Sequence, residues 1–175
     1  MPTSPNVQNY HIGKGIVSFK ETGASTFTDL GNAPSFTYEP NVEKKEHFSS
    51  REGIMTKDFT AITQVGATVT LTLDEITGEN LAFFALAEMS TDTDGSIMLS
   101  GLTKSEFTGT IRVVGTNDIG QKVDFEANVS FVPSGEFSFI TAEDDFSTIE
   151  IQCEVQKDAN GAFGVWHVRE EAVSA

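Results

Sequence analysis

Hydrophobic and polar residues alternate most regularly in the second half of the chain. Apolar side chains fall at alternate positions within Phe107–Gly115, Lys122–Val132 and residues 146–156, and most of the residues between them are polar or charged. This period of two is typical of strands with one buried face. A tight turn over 117–120 and a last strand over 163–169 complete the pattern, which predicts a run of antiparallel strands.

Shorter alternations in the first half predict more strands. They cover residues 16–20, 27–30, 35–39, 57–63 and 67–74. The first two are predicted to pair through a turn at 21–25, and the last two through a turn at 64–66 that contains Gly66. In the strand over 67–74, Val69, Leu71 and Leu73 alternate with threonines, which indicates a half-buried strand.

One helix is predicted, over residues 77–89. Thr77 is a suitable N-cap, and Glu79 places a negative charge in the first turn, where it suits the helix dipole. The helix is apolar around much of its circumference, so more than one side should be covered. Either it packs inside its own domain or it lies between its own sheet and a neighbouring subunit; both interpretations stay open.

Residues 40–57 are charged and lack any periodicity. Unstructured segments of this length inside a domain are uncommon and are usually either functional or disordered. With residues 1–13 interpreted as an N-terminal arm, the chain is predicted to be a single domain over 1–175. Its fold class is mainly β, an antiparallel sandwich or open barrel with one flanking α-helix and one long charged loop at 40–57.

Charge is distributed unevenly along the chain. Of 175 residues, 11 are basic and 26 acidic, which gives a net charge of −15. Residues 1–57 hold six of each sign, so the remainder carries the whole −15. Direct binding of DNA or RNA is disfavoured, because phosphate binding needs a basic patch.

The sequence contains no arrangement that predicts catalysis, a metal or a cofactor. The three histidines lie far apart, and Cys153 falls on the apolar side of its strand, where packing is its expected role. Asp92 and Asp94 resemble the start of a calcium loop but lack its later ligands. We expect neither a signal peptide nor a membrane span, since no long apolar run is present.

Acidic residues recur on the polar sides of two strands. Asp124 and Glu126 alternate with apolar residues in one, and Glu150 and Glu154 in the other. If both strands share a sheet, like charges gather on one face at some cost in repulsion. This face is either an ordinary solvated surface or a wall past which DNA slides.

Three segments together resemble the major tail tube protein of long-tailed, non-contractile phages. They are LGNAPSFTYEP, EHFSSREGIMTKD and LTLDEITGENLAFFALA, in that order within about residues 30–90. The resemblance implies a β-sandwich with a flanking helix, whose subunits form hexameric rings stacked into a tail tube. It also implies a structural virion protein without enzymatic activity, assembled in the host bacterial cytoplasm and located in the phage tail.

The resemblance also implies partners and contact residues. The partners are further copies of the chain, the tape measure protein, the tail terminator, tail-tip or distal tail proteins, and DNA that passes through the lumen without specific binding; no membrane is involved. Residues 40–57 would reach the next ring. The implied inter-ring contacts are Glu43, Lys44, Lys45, Glu46, Arg51 and Glu52. The implied subunit contact of the helix comprises Leu81, Phe83, Phe84 and Leu86. The candidate lumen-facing residues are the four acids named above.

Three rival interpretations remain. Another ring-forming or tube-forming subunit, such as a tail terminator or a secretion-system tube protein, would share most of these features. A β-sandwich module that binds a sugar or peptide is the second, although one Trp and two Tyr are few for such a surface. An enzyme on a β scaffold is the third, and no candidate site supports it.

Overall fold

The computed structural model describes residues 10–51, 53–132, 137–140 and 146–169, with the side chain of Val132 left out. Ten strands and one helix lie in this part of the chain. In chain order they are β1 Gly15–Glu21, β2 Thr28–Asp29, β3 Ser35–Ser49, β4 Thr56–Leu73, α1 Gly78–Ala85, β5 Glu88–Thr91, β6 Ile97–Ser100, β7 Phe107–Gly115, β8 Lys122–Val132, β9 Ile149–Gln156 and β10 Val165–Arg169.

Eight of these strands form one antiparallel sheet that does not close into a barrel. Its order is β2-β1-β7-β8-β9-β4-β3, and β10 pairs with β8. β9 and β10 share one edge of β8: β10 pairs with residues 122–126 and β9 with residues 128–132. The predicted fold class, a mainly antiparallel β architecture with one flanking helix, is confirmed.

The core lies on one face of this curved sheet. Its apolar side chains come from alternate positions of β1, β4, β7, β8 and β9, as the period-two pattern predicts. Helix α1 covers part of this face, and Phe83 packs edge-on against Phe19 and Phe107 with ring centroids 5.0 Å apart in both cases. The same ring stacks on Phe131 at 5.4 Å.

The segment predicted as a charged loop is part of two long paired strands. β3 runs through Ser49, β4 begins at Thr56, and the register joins them along their whole length. The predicted turn at 64–66 does not exist either, because Gly66 lies inside β4 opposite Asn41. The prediction was wrong because both faces of this ribbon are exposed, so charged residues occur at successive positions and hide the period of two.

The predicted helix exists, but it is shorter than 77–89. Thr77 accepts a hydrogen bond from the amide of Asn80 over 3.1 Å and caps the start as expected. Leu86 ends the helix in the left-handed conformation, with φ 46°. Leucine gives no stop signal in a sequence, because glycine or asparagine normally occupies such a position. Met89 therefore belongs to β5, and the β5–β6 hairpin was missed.

Candidate assembly surfaces

The distal half of the β3–β4 pair projects from the sheet. We call it the arm, residues 40–66; its tip comprises the described residues 50–51 and 53–55. β9 pairs with β4 only from Thr68 to Leu73, so in the described ranges β3 and β4 have only each other as strand partners along the arm. Nine residues of β3, 41–49, span about 30 Å at ~3.3 Å per residue. The arm is therefore a two-stranded ribbon with water on both faces.

One face of the arm continues the core face of β3, and we call it the apolar face although Lys44, Glu46 and Lys57 share it; Phe59 is exposed on the other face. Tyr38 packs towards the core, and alternation along β3 carries that face outward. Two bulges on β4 keep the paired side chains of β3 and β4 on the same face of the ribbon. The apolar members of this face are Val42, Phe48, Ile62 and Val65, all exposed in the single chain. Exposed apolar residues grouped on one face make it a candidate interaction surface.

The predicted inter-ring residues alternate between the two faces. Lys44 and Glu46 lie on the apolar face, whereas Glu43 and Lys45 lie on the other, opposite Gln64 and Ala61. Arg51 is at the exposed tip, and Glu52 lies outside the described residues. The structure thus places the described ones on the arm, while their contact with a further subunit stays a prediction.

Polar side chains pair across the arm on both faces. Lys57 donates to Glu46, and Nδ1 of His47 lies 2.6 Å from Oδ1 of Asp58, which is one of the two bulged residues. All four side chains are largely exposed, so each pair stabilises the ribbon by about 1 kcal/mol or less. These pairs hold the two strands in register but do not replace a packed core.

The four acids predicted to face the lumen do share one face of the sheet. Asp124 and Glu126 lie on the polar face of β8, and Glu150 and Glu154 on the polar face of β9, opposite threonines of β4. Two of these four acids are paired with arginine side chains, so their charges are partly compensated. The Nε of Arg112 lies 2.8 Å from the Oε2 of Glu126, so one acid is partly neutralised.

Asp124 is neutralised as well. A terminal nitrogen of Arg169 lies 2.7 Å from its Oδ1, and the amide of Gly115 donates to the same oxygen over 2.9 Å. Burial alone would raise the pKa of Asp124, but these hydrogen bonds and the nearby positive charge hold it below its usual range. A cationic cluster also lies on this face, where Lys20 and Arg112 stack over the ring of Phe27 at 4.8 and 3.9 Å.

The polar face also bears two open depressions. The larger, about 620 Å³, is lined mainly by Lys20, the turn at 21–24, Thr108, Thr110 and Asn128. The smaller, about 240 Å³, lies against Glu126 and β10. Ligand sites are usually concave and mostly apolar, so these two open depressions, of which the larger is mostly polar, do not favour a ligand-binding module.

Helix α1 packs within its own chain. Leu81, Phe83 and Phe84 are half-buried against the core, and Leu86 is buried. Of the two open interpretations, packing inside the domain accounts for the contacts of Phe83. A subunit contact through the still accessible parts of the first three residues remains a prediction.

The described residues show no arrangement for catalysis. Cys153 is buried, and its burial raises the pKa of the thiol to about 12, so it is not a thiolate at neutral pH. No group of three or more His, Cys, Asp or Glu in the described ranges could hold a metal ion. The Asp92–Ser96 segment is a turn in which Ser96 donates to Asp94. In the same part of the chain, the helix is too short to cross a bilayer.

Comparisons with known proteins place this fold. Residues 10–111 match the family described as "Protein of unknown function UCP028589", and the chain belongs to that family. A search of curated proteins finds no match.

Two solved structures share the fold over nearly the whole chain. One is a chain of the anti-feeding prophage baseplate, determined by cryo-electron microscopy with six-fold symmetrisation: it is 10% identical, with 95% of this chain and 97% of that chain covered and a TM-score of 0.57. The other is from the sheath–tube complex of an extracellular contractile injection system, PVC, in the extended state, with 18% identity, 90% of each chain covered and a TM-score of 0.50. At these identities the likeness shows a common fold alone.

Proposed function

We propose that this chain is a structural subunit of the tube of a phage-tail-like particle, and that it assembles into hexameric rings that stack. The observation that carries the proposal is the arm, a ribbon about 30 Å long with an apolar face that its own chain leaves exposed. A two-stranded ribbon in water is marginally stable by itself. Docking on another subunit would cover its apolar face and its free edge.

The open edges of the sheet support ring formation. β3 is an edge strand along its whole length, and β2 covers only Ser18 and Phe19 of β1 at the opposite edge. Soluble proteins rarely leave edges of this length uncovered, because they are templates for further pairing. Closed cyclic assembly of identical subunits removes both edges at once. The six-fold averaging of the baseplate that shares this fold agrees with a hexamer.

The likeness to contractile injection systems broadens the class predicted from the sequence. The proposed tube is common to contractile and non-contractile particles, and passage of DNA past a tape measure protein is one form of its use. The weakly charged polar face, rich in threonine and with Asp124 and Glu126 paired, would line a conduit without holding a polyanion. Tail-tip and terminator proteins would begin and end the stack in the host cytoplasm.

A ring at the end of the tube is the second candidate, because one solved structure with this fold belongs to a baseplate. Electron microscopy of the purified protein at high concentration, alone and with tail-tip and tape-measure proteins, tests both. Long hollow tubes support the tube subunit, and single rings that never stack support the baseplate role. A monomer under all these conditions would exclude both. Replacing residues 42–65 by a two-residue turn provides the control and should abolish stacking.

A further inference from the structure

The arm joins the sheet at a glycine that its own chain does not require. Gly66 lies inside β4 opposite Asn41, although glycine weakens a strand and normally occurs there for a steric reason. Gly109 in β7 has such a reason, because a Cβ there would lie 2.2 Å from the carbonyl oxygen of Lys20. At Gly66 a Cβ would meet no atom within 4 Å, and the backbone lies outside the left-handed region. The single chain therefore has room for a larger residue at this position.

The neighbouring positions on β4 show which residue type suits this face. Thr72, Thr70 and Thr68 follow one another on the polar face, and the next position on that face is Gly66. Threonine favours strands, because its branched side chain is stiff and packs well on a pleated surface. Glycine has the greatest backbone freedom of all residues. The row of threonines is thus replaced by a flexible residue where the arm begins.

Support from other strands also ends at this point. Thr68 is the last residue of β4 that pairs with β9, so the pairs Pro40–Ala67 and Asn41–Gly66 are the first that two strands alone hold together. Pro40 has no amide hydrogen to donate. Within the described ranges, no side-chain hydrogen bond reinforces either pair. The base of the arm is therefore its most weakly fixed part.

The arm beyond its base is braced by side chains. The hydroxyl of Thr63 donates to the carbonyl oxygen of Glu43 over 3.3 Å, and the two polar side-chain pairs cross the ribbon further out. A braced ribbon on a weakly fixed base moves as one body. A rotation of about 10° at the base would displace the tip of a ribbon ~30 Å long by about 5 Å.

We propose that the Asn41–Gly66 junction is a hinge, and that the freedom of the arm about this hinge restrains the assembly of free subunits. The inference rests on the proposed function and adds its regulation. An arm that takes many angles has to be confined to one when it docks on a second copy. The entropy lost in this confinement lowers the affinity of the contact. Glycine at this position thus weakens the first contacts between free subunits.

Distances within the isolated subunit test the hinge. Cys153 is buried and stays unreactive, so spin labels can be attached to Thr56→Cys in the arm and Asn128→Cys in the sheet. Electron–electron double resonance on unassembled subunits should give a broad distribution of distances. Gly66→Thr, which continues the row of threonines, should narrow it. The matched control, Ala61→Thr on the same face of the arm, should leave it unchanged, and equal widths in all three would overturn the hinge.

The concentration needed for assembly tests the restraint. We expect Gly66→Thr to lower this concentration by about two- to fivefold, the factor by which such a glycine replacement typically shifts an equilibrium. The added side chain is polar, so it does not create a new apolar contact. Ala61→Thr should assemble as the wild type does. An unchanged or raised concentration for Gly66→Thr would overturn the restraint, and so would a melting temperature lowered by more than about 3 °C, since the glycine would then serve its own fold.

The outcomes separate this inference from the proposed function. Wild-type tubes together with equal behaviour of Gly66→Thr and Ala61→Thr would refute the hinge and the restraint and leave the tube subunit intact. A wild-type chain that forms neither rings nor tubes, even with tail-tip proteins, would refute the proposed function and the restraint with it. The distance distributions would still decide on the hinge, because they are measured on the isolated subunit.

Discussion

The side-chain amide of Asn80 donates a hydrogen bond to the carbonyl oxygen of Leu30 over 2.9 Å, although fifty residues separate them along the chain. The same nitrogen donates to the carbonyl oxygen of Glu75, also over 2.9 Å. The carboxylate of Glu75 in turn accepts from the amide of Asn32. The start of helix α1 is thereby fixed to the turn after β2, and two of the segments that carry the family resemblance meet at this point.

Asn80→Ala should lower the free energy of unfolding by about 2–4 kcal/mol, because two carbonyl oxygens lose their donor at a buried site. Urea denaturation followed by circular dichroism measures this change. The matched control is Asn128→Ala, since Asn128 is exposed on the polar face, and its effect should stay within about 0.5 kcal/mol. Equal effects of the two variants would contradict a structural role for Asn80.

Asp124→Asn should change how stability depends on pH. The pKa of Asp124 is lowered in the folded chain, so the ionised form stabilises the fold above the unfolded value of about 3.9, and this contribution is lost as the pH falls further. We expect the wild type to be more stable than the variant by up to about 1 kcal/mol at pH 6.

The difference should shrink below about pH 4, where the carboxyl group becomes protonated in the unfolded chain and then in the folded one. Urea midpoints measured at pH 6 and pH 3 give the comparison. Glu154→Gln is the control on the same polar face, because Glu154 has no ion pair among the described residues. A stability difference independent of pH would exclude the Arg169 pairing as its cause.

Cys153 should resist thiol reagents in the folded chain. At pH 8 a thiol whose pKa is about 12 is protonated, and the side chain is also inaccessible. Labelling with a disulfide reagent should therefore follow unfolding as urea is raised. Burial raises the pKa of Cys153 in the folded chain, so the protonated thiol favours the fold. This stabilisation is complete below the pKa of about 8.5 in the unfolded chain, and it is lost as the pH rises towards 12. Rapid labelling without urea would refute the burial, and Thr70→Cys with Cys153→Ala provides the accessible control.

Lys44→Glu combined with Lys45→Glu should block stacking while the subunit stays folded. The two lysines lie on opposite faces of the arm, so the change makes residues 43–46 acidic on both and repels an acidic neighbour. Electron microscopy and light scattering report assembly, and circular dichroism reports folding. Lys14→Glu with Lys157→Glu changes the net charge equally at sites away from the arm. Tubes of normal length from the first variant would refute the role of the arm.

The sequence predicted best those strands that have one buried and one polar face. Phe107–Gly115 and Lys122–Val132 have the predicted bounds, because burial on a single side imposes a visible period of two. The arm obeys no such constraint within its own chain. Charged residues occupy both faces of the ribbon, so the position of Val42 and Phe48 on one face is masked by the four charged residues 43–46 between them.

The candidate assembly surfaces were predictable only in part, because contacts between distant segments shape them. Spacing alone places Asp124 and Glu126 on one face, but Arg169 reaches Asp124 from a strand forty-five residues away. Asn80 gives no signal of its partner either, since the carbonyl oxygen of Leu30 that it binds lies fifty residues away. Contacts between distant segments decide both features, and no short pattern encodes them.

The exposed ribbon of residues 40–66 has a kinetic consequence. Along the described part of the arm its two strands have only each other as strand partners, so much of the entropy lost on ordering it would be offset only when a neighbour binds. A subunit that binds through one contact would then dissociate readily, whereas a subunit that contacts several neighbours at once would be retained. In the proposed assembly, growth would therefore begin with a lag and proceed rapidly from an existing seed, and free subunits would stay in solution until a seed is present.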